Sequence, residues 1–435
     1  MARYDEMDDG ELRALHEALA AEFDQARAAG LDLNMARGKP SPEQLDLVMP
    51  MLDVLDSGSS FLAEDGTDVR NYGCLAGLPE ARRLMGSLVG ATPAQTIVGG
   101  NSSLSLMHDT VARGMTHGFA GCGPWGRQDG VAFICPSPGY DRHFTICEHF
   151  GIRMLPVVMR EDGPDMDAVE ELVANSQVKG MWCVPLYSNP QGCVYSARTV
   201  RRIASMHAAA PDFRVFWDNA YCVHHLRDDA SEQAAIPNIL DECAKAGNPD
   251  RAFEFCSTSK VTFPGAGISA FISSEANVAE ALAALACQSI SADKVNQLRH
   301  VRFLKDADGV AALMRKHAAK LRPRFAAVEK ALSDKLGAAG VGSWTHPEGG
   351  YFISFQAPKG CAREIVARCA EAGAKLTAAG ATWPYGKDPD DSNIRIAPSY
   401  PALDELERAA EVFTLCVRLV AIEHLLAGRG QDLRM

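Results

Sequence analysis

Several features are missing from this chain of 435 residues, and each absence argues against a class of protein. No apolar run approaches the roughly 20 residues that a membrane-spanning helix needs. No run of lysines and arginines could follow a nucleic-acid backbone, and the net charge of −12 opposes such binding. The first residues, MARYDEMDDGELRAL, are acidic where a secretory signal would be basic and then apolar. We therefore expect a soluble, cytoplasmic protein that binds neither nucleic acid nor membrane.

The thirteen cysteines lack the patterns that are typical of a metal site or of a disulfide framework. Neither a C-x-x-C pair nor a Cys/His cluster at zinc spacing occurs, so we predict no bound metal. Cys135, Cys183 and Cys256 lie in apolar runs and are expected to be small buried hydrophobic residues. Unpaired cysteines of this kind are typical of a reducing compartment.

The middle of the chain alternates short apolar runs with amphipathic segments. The runs that predict strands are TIVGG, GVAFICPSP, RMLPVVM, GMWCVPLY, FRVFWDNA, AFEFCSTS and GISAFISS. This alternation indicates an α/β fold, with a mostly parallel sheet of the seven-stranded type and helices on both faces. A later strand pair, GGYFISFQ and NIRIAPS, indicates a smaller α+β domain. We predict an N-terminal segment (residues 1–55) packing with the small domain, a large domain (56–305) and the small C-terminal domain (306–435).

One lysine stands in an unusual setting, at the end of the apolar run AFEFC and after three hydroxyl-bearing residues. Lys260 precedes Pro264 and two glycines, which end any regular structure. The side chain could simply extend to water from a strand end, which is ordinary behaviour for lysine. Alternatively, burial and neighbouring groups could lower its pKa and make it a nucleophile toward a carbonyl. Its position favours the second interpretation only if partners lie nearby, because ligands gather at the carboxyl ends of parallel strands.

Four other predicted strand ends carry polar or aromatic side chains. They present Asn189, Asp218 with Tyr221, Asn101 with Ser102 and Ser103, and Tyr140. Each has an ordinary explanation when taken alone. Asn-Pro is a common turn, an aspartate can cap a helix, a glycine-rich turn is a weak signal, and a tyrosine can belong to the core.

Together these strand ends predict chemistry with pyridoxal 5′-phosphate. Free N–H groups and serine hydroxyls at a helix N-terminus form a phosphate site. A lysine that forms Schiff bases and an aspartate that keeps a pyridine nitrogen protonated are what this cofactor requires. The protonated ring then withdraws electrons from the substrate carbon. On this interpretation Lys260 is present to hold the aldehyde of the cofactor.

With these residues the chain resembles the fold-type I aminotransferases. Within that family it is similar to the aspartate aminotransferase group, and more narrowly to a divergent bacterial subgroup. The resemblance covers nearly the whole chain. Its motifs are NYG at Tyr72, GGNSS near residue 100, PGYDRH at Tyr140, NPQG at Asn189, DNAY at Asp218, STSK at Lys260, PEGGYF near residue 350 and NIRIAPS at Arg395.

The resemblance implies a role for each matching residue. Lys260 would be the aldimine lysine and the proton carrier, Asp218 would pair with the pyridine nitrogen, and Tyr140 would stack on the ring. Asn189 and Tyr221 would bond the phenolic oxygen. The implied cofactor-phosphate ligands are Ser102, Ser103 and Ser257, with Tyr72 reaching in from the other subunit of a homodimer, and Asn101 is a further implied cofactor-binding residue. Arg395 would fork onto the substrate α-carboxylate, with Asn189 beside it.

Two departures from the family pattern stand out. Many relatives carry an arginine seven or eight residues after the lysine, where this chain has Gly267 and Ile268. That charge is either missing or supplied from elsewhere, with Arg70 as one candidate. The stacking residue is Tyr140, whereas the aspartate enzymes often use tryptophan.

For substrates, we predict aspartate or glutamate with 2-oxoglutarate or oxaloacetate. A dicarboxylic substrate needs a second cation, and the stretch NMARGKP offers Arg37 and Lys39 beside Gly38, in a segment that relatives fold over the substrate. Arg142 is a further candidate, and any of these cations could instead be a solvated surface charge.

Other functions remain open from sequence. They include an alanine–glyoxylate-type or broad-specificity aminotransferase, and a lyase or decarboxylase that uses the same cofactor. A transcriptional regulator on this fold would need an N-terminal DNA-binding domain, for which the first 30 or so residues are too few and too acidic. A catalytically dead scaffold is disfavoured because both the lysine and the aspartate are present.

Overall fold

The computed structural model describes residues 3–430. Its strands are β1 (Leu33–Asn34), β2 (Thr96–Gly99), β3 (Ala132–Ser137), β4 (Arg153–Arg160), β5 (Gly163–Pro164), β6 (Val178–Cys183), β7 (Arg214–Asp218), β8 (Ala252–Ser257), β9 (Ser269–Ile272), β10 (Ser343–Trp344), β11 (Ile353–Gln356), β12 (Ala374–Lys375) and β13 (Asn393–Ile396).

The α-helices are α1 (Asp9–Ala28), α2 (Pro42–Asp46), α3 (Pro79–Ser87), α4 (Ser103–Thr116), α5 (Asp141–His149), α6 (Met166–Val173), α7 (Ala197–Ser205), α8 (Ile239–Lys245), α9 (Glu275–Gln288), α10 (Lys294–Leu304), α11 (Ala307–Leu336), α12 (Ala362–Glu371) and α13 (Leu403–Gly428). Short 3₁₀ helices cover Tyr4–Glu6, Met49–Asp53, Pro93–Gln95, Trp125–Arg127, Ala230–Glu232 and Pro384–Gly386.

The largest sheet has eight strands in the order β2-β9-β8-β7-β6-β3-β4-β5. Strands β4, β3, β6, β7 and β8 pair in parallel, whereas β9 and β5 run antiparallel to their neighbours. All seven predicted strands are present, and β5 is a two-residue addition at one edge. The predicted mostly parallel sheet is therefore confirmed.

Alternate residues of the central strands face two separate hydrophobic cores. On β7, Phe216 joins an aromatic cluster with Phe133 and Trp182, while Val215 and Trp217 belong to the core on the opposite face. Helix α4 contributes to the aromatic side, and helices α6 and α7 contribute to the other. Helices thus cover both faces, which explains why the strands read as continuous apolar runs rather than alternating ones.

The N-terminal and C-terminal parts of the chain share a third core. Strand β11 lies between β10 and β13 in an antiparallel sheet, and β1 pairs in parallel with β12. Helix α1 packs on α13 through buried side chains that include Leu12, Leu19 and Phe23. The domain boundaries after residues 55 and 305 stay predictions, and residues 1–2 and 431–435 of the outer segments lie outside the described residues.

Residues 118–130 contain five glycines. They nevertheless hold the short helix Trp125–Arg127, in which Trp125 is fully buried and its Nε1 donates to Asp212 Oδ2 at 2.8 Å. A buried tryptophan with a hydrogen-bond partner orders this segment despite its glycines. Over residues 3–430, no helix has the length and apolar character that a membrane crossing requires.

Candidate functional site

Lys260 lies three residues beyond the end of β8, at the carboxyl edge of the large sheet. Its Nζ is 4.8 Å from the centre of the Tyr221 ring. Burial lowers the pKa of Lys260, and the negative charge of Asp218 partly opposes that shift. A lowered pKa increases the fraction of neutral amine, which is the nucleophilic form.

A buried network of polar side chains holds the backbone carbonyls of Lys260 and Val261. The Tyr351 hydroxyl donates to the Lys260 carbonyl at 3.5 Å and accepts from Gln44 Nε2 at 3.1 Å. Gln44 also lies 3.0 Å from His317 Nδ1, and His317 Nε2 lies 3.1 Å from the Val261 carbonyl. Burial lowers the pKa of His317 to about 4, so this ring is neutral near pH 7. Gln44 and His317 come from separate helices and were not predicted, whereas Tyr351 lies in the PEGGYF motif without a predicted role.

Asp218 ends strand β7 and is buried. Its Oδ2 lies 3.0 Å from His143 Nε2, and the His143 ring stacks on Trp182 with 4.3 Å between ring centres. Its Oδ1 is buried and has no hydrogen-bond partner among the described residues. A carboxylate oxygen in this state needs a donor, because burying it unpaired is costly. His143 was not predicted, although it lies three residues after Tyr140, one helical turn along.

The start of helix α4 lies beside a chain of hydroxyl groups. Ser102 occupies the N-cap position, and its side chain makes no capping bond. Ser259 Oγ donates to the Asn101 carbonyl at 2.8 Å and accepts from Ser257 Oγ at 3.0 Å. Asn101 Nδ2 donates to the Pro264 carbonyl at 3.1 Å. Free N–H groups of a 14-residue helix, together with these hydroxyls, form a setting that favours an anion.

Tyr140 and Tyr221 line the same cavity as Lys260 and Asp218. Burial raises the pKa of Tyr140 and of Tyr221, and the charge of Asp218 adds to both shifts. Both phenols are therefore protonated at neutral pH and can donate hydrogen bonds.

Arg395 projects from β13 and is nearly buried, with 8% of the residue exposed. Its Nη1 donates to Asn189 Oδ1 at 3.2 Å and to Asp141 Oδ1 at 3.1 Å, and its Nη2 donates to Thr377 Oγ1 at 3.1 Å. The guanidinium carbon lies 4.9 Å from the centre of the Phe352 ring. Phe352 also approaches Gly38 so closely that a Cβ at residue 38 would lie 2.3 Å from its ring. Glycine is therefore the residue that fits at position 38.

One cavity of about 300 Å³ brings most of the predicted residues together. The predicted residues that line it are Gly38, Asn101, Ser102, Ser103, Tyr140, Asn189, Asp218, Tyr221, Ser257 and Lys260. Arg395 adjoins it through Asn189. The cavity combines an amine, a carboxylate with an unpaired oxygen and an anion-binding helix end, so it can hold a phosphorylated ring that carries a basic nitrogen.

The remaining predicted residues in the described chain are not part of the cavity lining. Tyr72 is 79% exposed, and Arg37 and Arg142 are exposed as well. Arg70 is exposed and pairs with Asp68 through two hydrogen bonds. Within residues 3–430, the lining of the cavity includes one cationic side chain, that of Lys260.

Comparison with known proteins gives a consistent result over nearly the whole chain. The model of the family described as aspartate amino-transferase matches residues 7–429. An aspartate aminotransferase of Corynebacterium glutamicum is 46% identical over 410 residues, which is 94% of each chain. The solved structure of an aspartate transaminase from that organism superposes with a TM-score of 0.94 at 44% identity, covering 98% of this chain and 99% of that one. A more distant α-aminoadipate aminotransferase of Thermus thermophilus shares the fold, with a TM-score of 0.70 at 19% identity.

Proposed function

This chain belongs to the aspartate aminotransferase family, as its motifs predicted, and we propose that it uses pyridoxal 5′-phosphate to move an amino group between aspartate or glutamate and a 2-oxo acid. The preferred oxo acids are 2-oxoglutarate and oxaloacetate. The observation that carries the proposal is the buried, unpaired Oδ1 of Asp218, in the same cavity as Lys260 and the N-terminus of α4.

The residues of the cavity fit this cofactor. A protonated ring nitrogen would give Asp218 Oδ1 the donor that it lacks, while the contact with His143 holds the carboxylate in place. Asn189 and Tyr221 would donate to the phenolic oxygen, and Tyr140 would cover the ring. The phosphate would lie on Asn101, Ser102, Ser103 and Ser257.

When bound, the cofactor supplies an aldehyde that condenses with amines and a protonated ring that withdraws electrons from the substrate Cα. Lys260 Nζ would hold the aldehyde in the resting enzyme and would then carry a proton at the substrate Cα. Its lowered pKa suits that second task, because a neutral amine is the basic form.

Arg395 would bind the α-carboxylate of the substrate, since its fork geometry matches a carboxylate better than a lysine would. Gly38 leaves room for Phe352 at the edge of this position. The distal carboxylate of aspartate needs a further cation, for which Arg37 is our preferred candidate, with Lys39 and Arg142 as alternatives. This assignment requires the N-terminal segment to approach the substrate.

We propose that the working unit is a homodimer, in which Tyr72 of a second copy reaches the phosphate. The exposure of Tyr72, at 79%, is consistent with this role, because it leaves the side chain accessible to a second copy. The unpaired state of all thirteen cysteines supports a cytoplasmic location.

Steady-state kinetics with the cofactor-loaded enzyme tests the proposed substrates. We expect kcat/KM for aspartate with 2-oxoglutarate to exceed that for alanine with glyoxylate. Arg37→Ala should lower kcat/KM for aspartate far more than for alanine, with Arg142→Ala as the matched comparison. A native enzyme that prefers alanine with glyoxylate would replace the dicarboxylate proposal with the alanine–glyoxylate alternative.

A further inference from the structure

The guanidinium of Arg395 already has a carboxylate partner within its own chain. Asp141 Oδ1 lies 3.1 Å from Nη1, and the two side chains form an ion pair. Asp141 follows Tyr140 directly and is the first residue of helix α5. If Arg395 binds a substrate carboxylate, as the proposed function requires, the substrate and Asp141 compete for the same guanidinium.

The two partners of this ion pair are held very differently. Arg395 is fixed by Asn189, by Thr377 and by the Phe352 ring, and 9% of its side chain is exposed. The side chain of Asp141 is 32% exposed. Among the described residues, its carboxylate is paired with Arg395. Asp141 can therefore rotate toward solvent, while Arg395 stays in position.

The position of Asp141 at the start of helix α5 would also stabilise its carboxylate after release from Arg395. The first turn of a helix favours a carboxylate, because the exposed N–H groups carry partial positive charge. Displacing Asp141 therefore leaves no buried unpaired charge, whereas displacing Arg395 would.

We propose that Asp141 is an internal counter-ion of Arg395, which an incoming carboxylate must displace. The proposal rests on the proposed function, because it takes Arg395 as the carboxylate-binding residue. A carboxylate that binds with two oxygens can replace Asp141, whereas a simple anion such as chloride gains too little from a single contact. Asp141 thereby lowers the affinity of the site for every anion and excludes the weakest ones.

Calorimetric titration of the cofactor-loaded enzyme with maleate, a dicarboxylate that carries no amino group, tests this directly. We expect Asp141→Asn to lower the Kd of maleate about 2- to 5-fold, the range for a partly exposed ion pair. Asp141→Ser should shift the Kd in the same direction, because it also removes the charge. Glu148→Gln removes an exposed carboxylate from the same helix and should leave the Kd unchanged.

Two further readouts separate a counter-ion from a merely structural residue. Asp141→Asn should lower KM for the amino acid and for the oxo acid, with the effect in KM rather than kcat, and should make chloride a stronger inhibitor. An unchanged or raised maleate Kd in both variants would overturn the proposal, as would the absence of maleate binding in the native enzyme and in both variants. Failure of the proposed function would show separately, as maleate binding without turnover of any amino donor.

Discussion

The two oxygens of the Asp218 carboxylate differ in their surroundings. Oδ2 faces His143 at 3.0 Å, and Oδ1 is buried without a partner in the described chain. Asp218→Asn keeps the shape of the side chain but removes the charge that would hold a ring proton. Because that charge acts in the transition state, the loss should appear mainly in kcat, by about 10- to 100-fold for one charged hydrogen bond.

Absorbance of the bound cofactor provides the control for this experiment. A variant that keeps its cofactor and loses kcat supports the assigned role. Near-native kcat in a cofactor-loaded Asp218→Asn enzyme would rule it out.

Glu254 is a buried carboxyl group on β8 that accepts a hydrogen bond from Asn219 Nδ2 at 2.9 Å. Burial raises the pKa of Glu254 to about 7 in the folded protein, from 4.5. The folded state therefore binds the extra proton between these two pH values, and its stability falls as pH rises through this window. Glu254→Gln removes the ionisation, so it should raise the unfolding free energy by about 1–3 kcal/mol at pH 8 and leave it nearly unchanged at pH 4.

Thermal unfolding of both proteins at several pH values measures this difference. Equal pH profiles for the native protein and Glu254→Gln would show that Glu254 is not the group that titrates in this window.

Much of the candidate site was predictable at the level of single residues, because each strand ends in a recognisable polar residue. Asp218, Asn189 and Lys260 line one cavity, as expected from parallel strands that end at one edge. His143, Thr377 and the network behind Lys260 were not predicted. Their side chains meet residues that are distant in sequence, and only the tertiary fold determines such contacts.

Helix α1 illustrates what the pattern of a single element can predict. A capping box of Asp8 and Glu11 starts it, and its buried residues Leu12, Leu19 and Phe23 recur at helical spacing. The partner of this face, helix α13, could not be read from the same pattern, because amphipathicity identifies a buried face and not its neighbour.

Packing of α1 on α13 should contribute strongly to stability. Leu12 is fully buried in this core, so Leu12→Ala should lower the unfolding free energy by about 2–5 kcal/mol. Glu17→Ala, on the exposed face of the same helix, is the matched control and should change it by about 0.5 kcal/mol or less. Denaturant unfolding measures both variants, and equal losses would contradict this packing.

At the scale of the whole molecule, the proposed dimer makes each site depend on two chains. Lys260 belongs to the cavity of its own chain, while the exposed Tyr72 would complete the site of a second copy. In an equal mixture of Tyr72→Phe and Lys260→Ala chains, half of the dimers are mixed, and one of the two sites in each mixed dimer is native. Subunit exchange should therefore restore native turnover at about a quarter of all sites.

Turnover before and after exchange, with each variant alone as the control, tests this expectation. No gain on mixing, or a fully active monomer in sedimentation, would refute the proposed contribution of Tyr72.

The proposed mechanism depends on Lys260 holding the cofactor aldehyde. Borohydride reduction of the cofactor-loaded enzyme, followed by peptide mapping, identifies the lysine involved, because reduction makes the link between lysine and cofactor permanent. We predict one labelled peptide that contains Lys260, and no such label in Lys260→Ala, which should also lose turnover by about 10³-fold or more. A label on another lysine, or no label on an enzyme that turns over its substrates, would contradict the account.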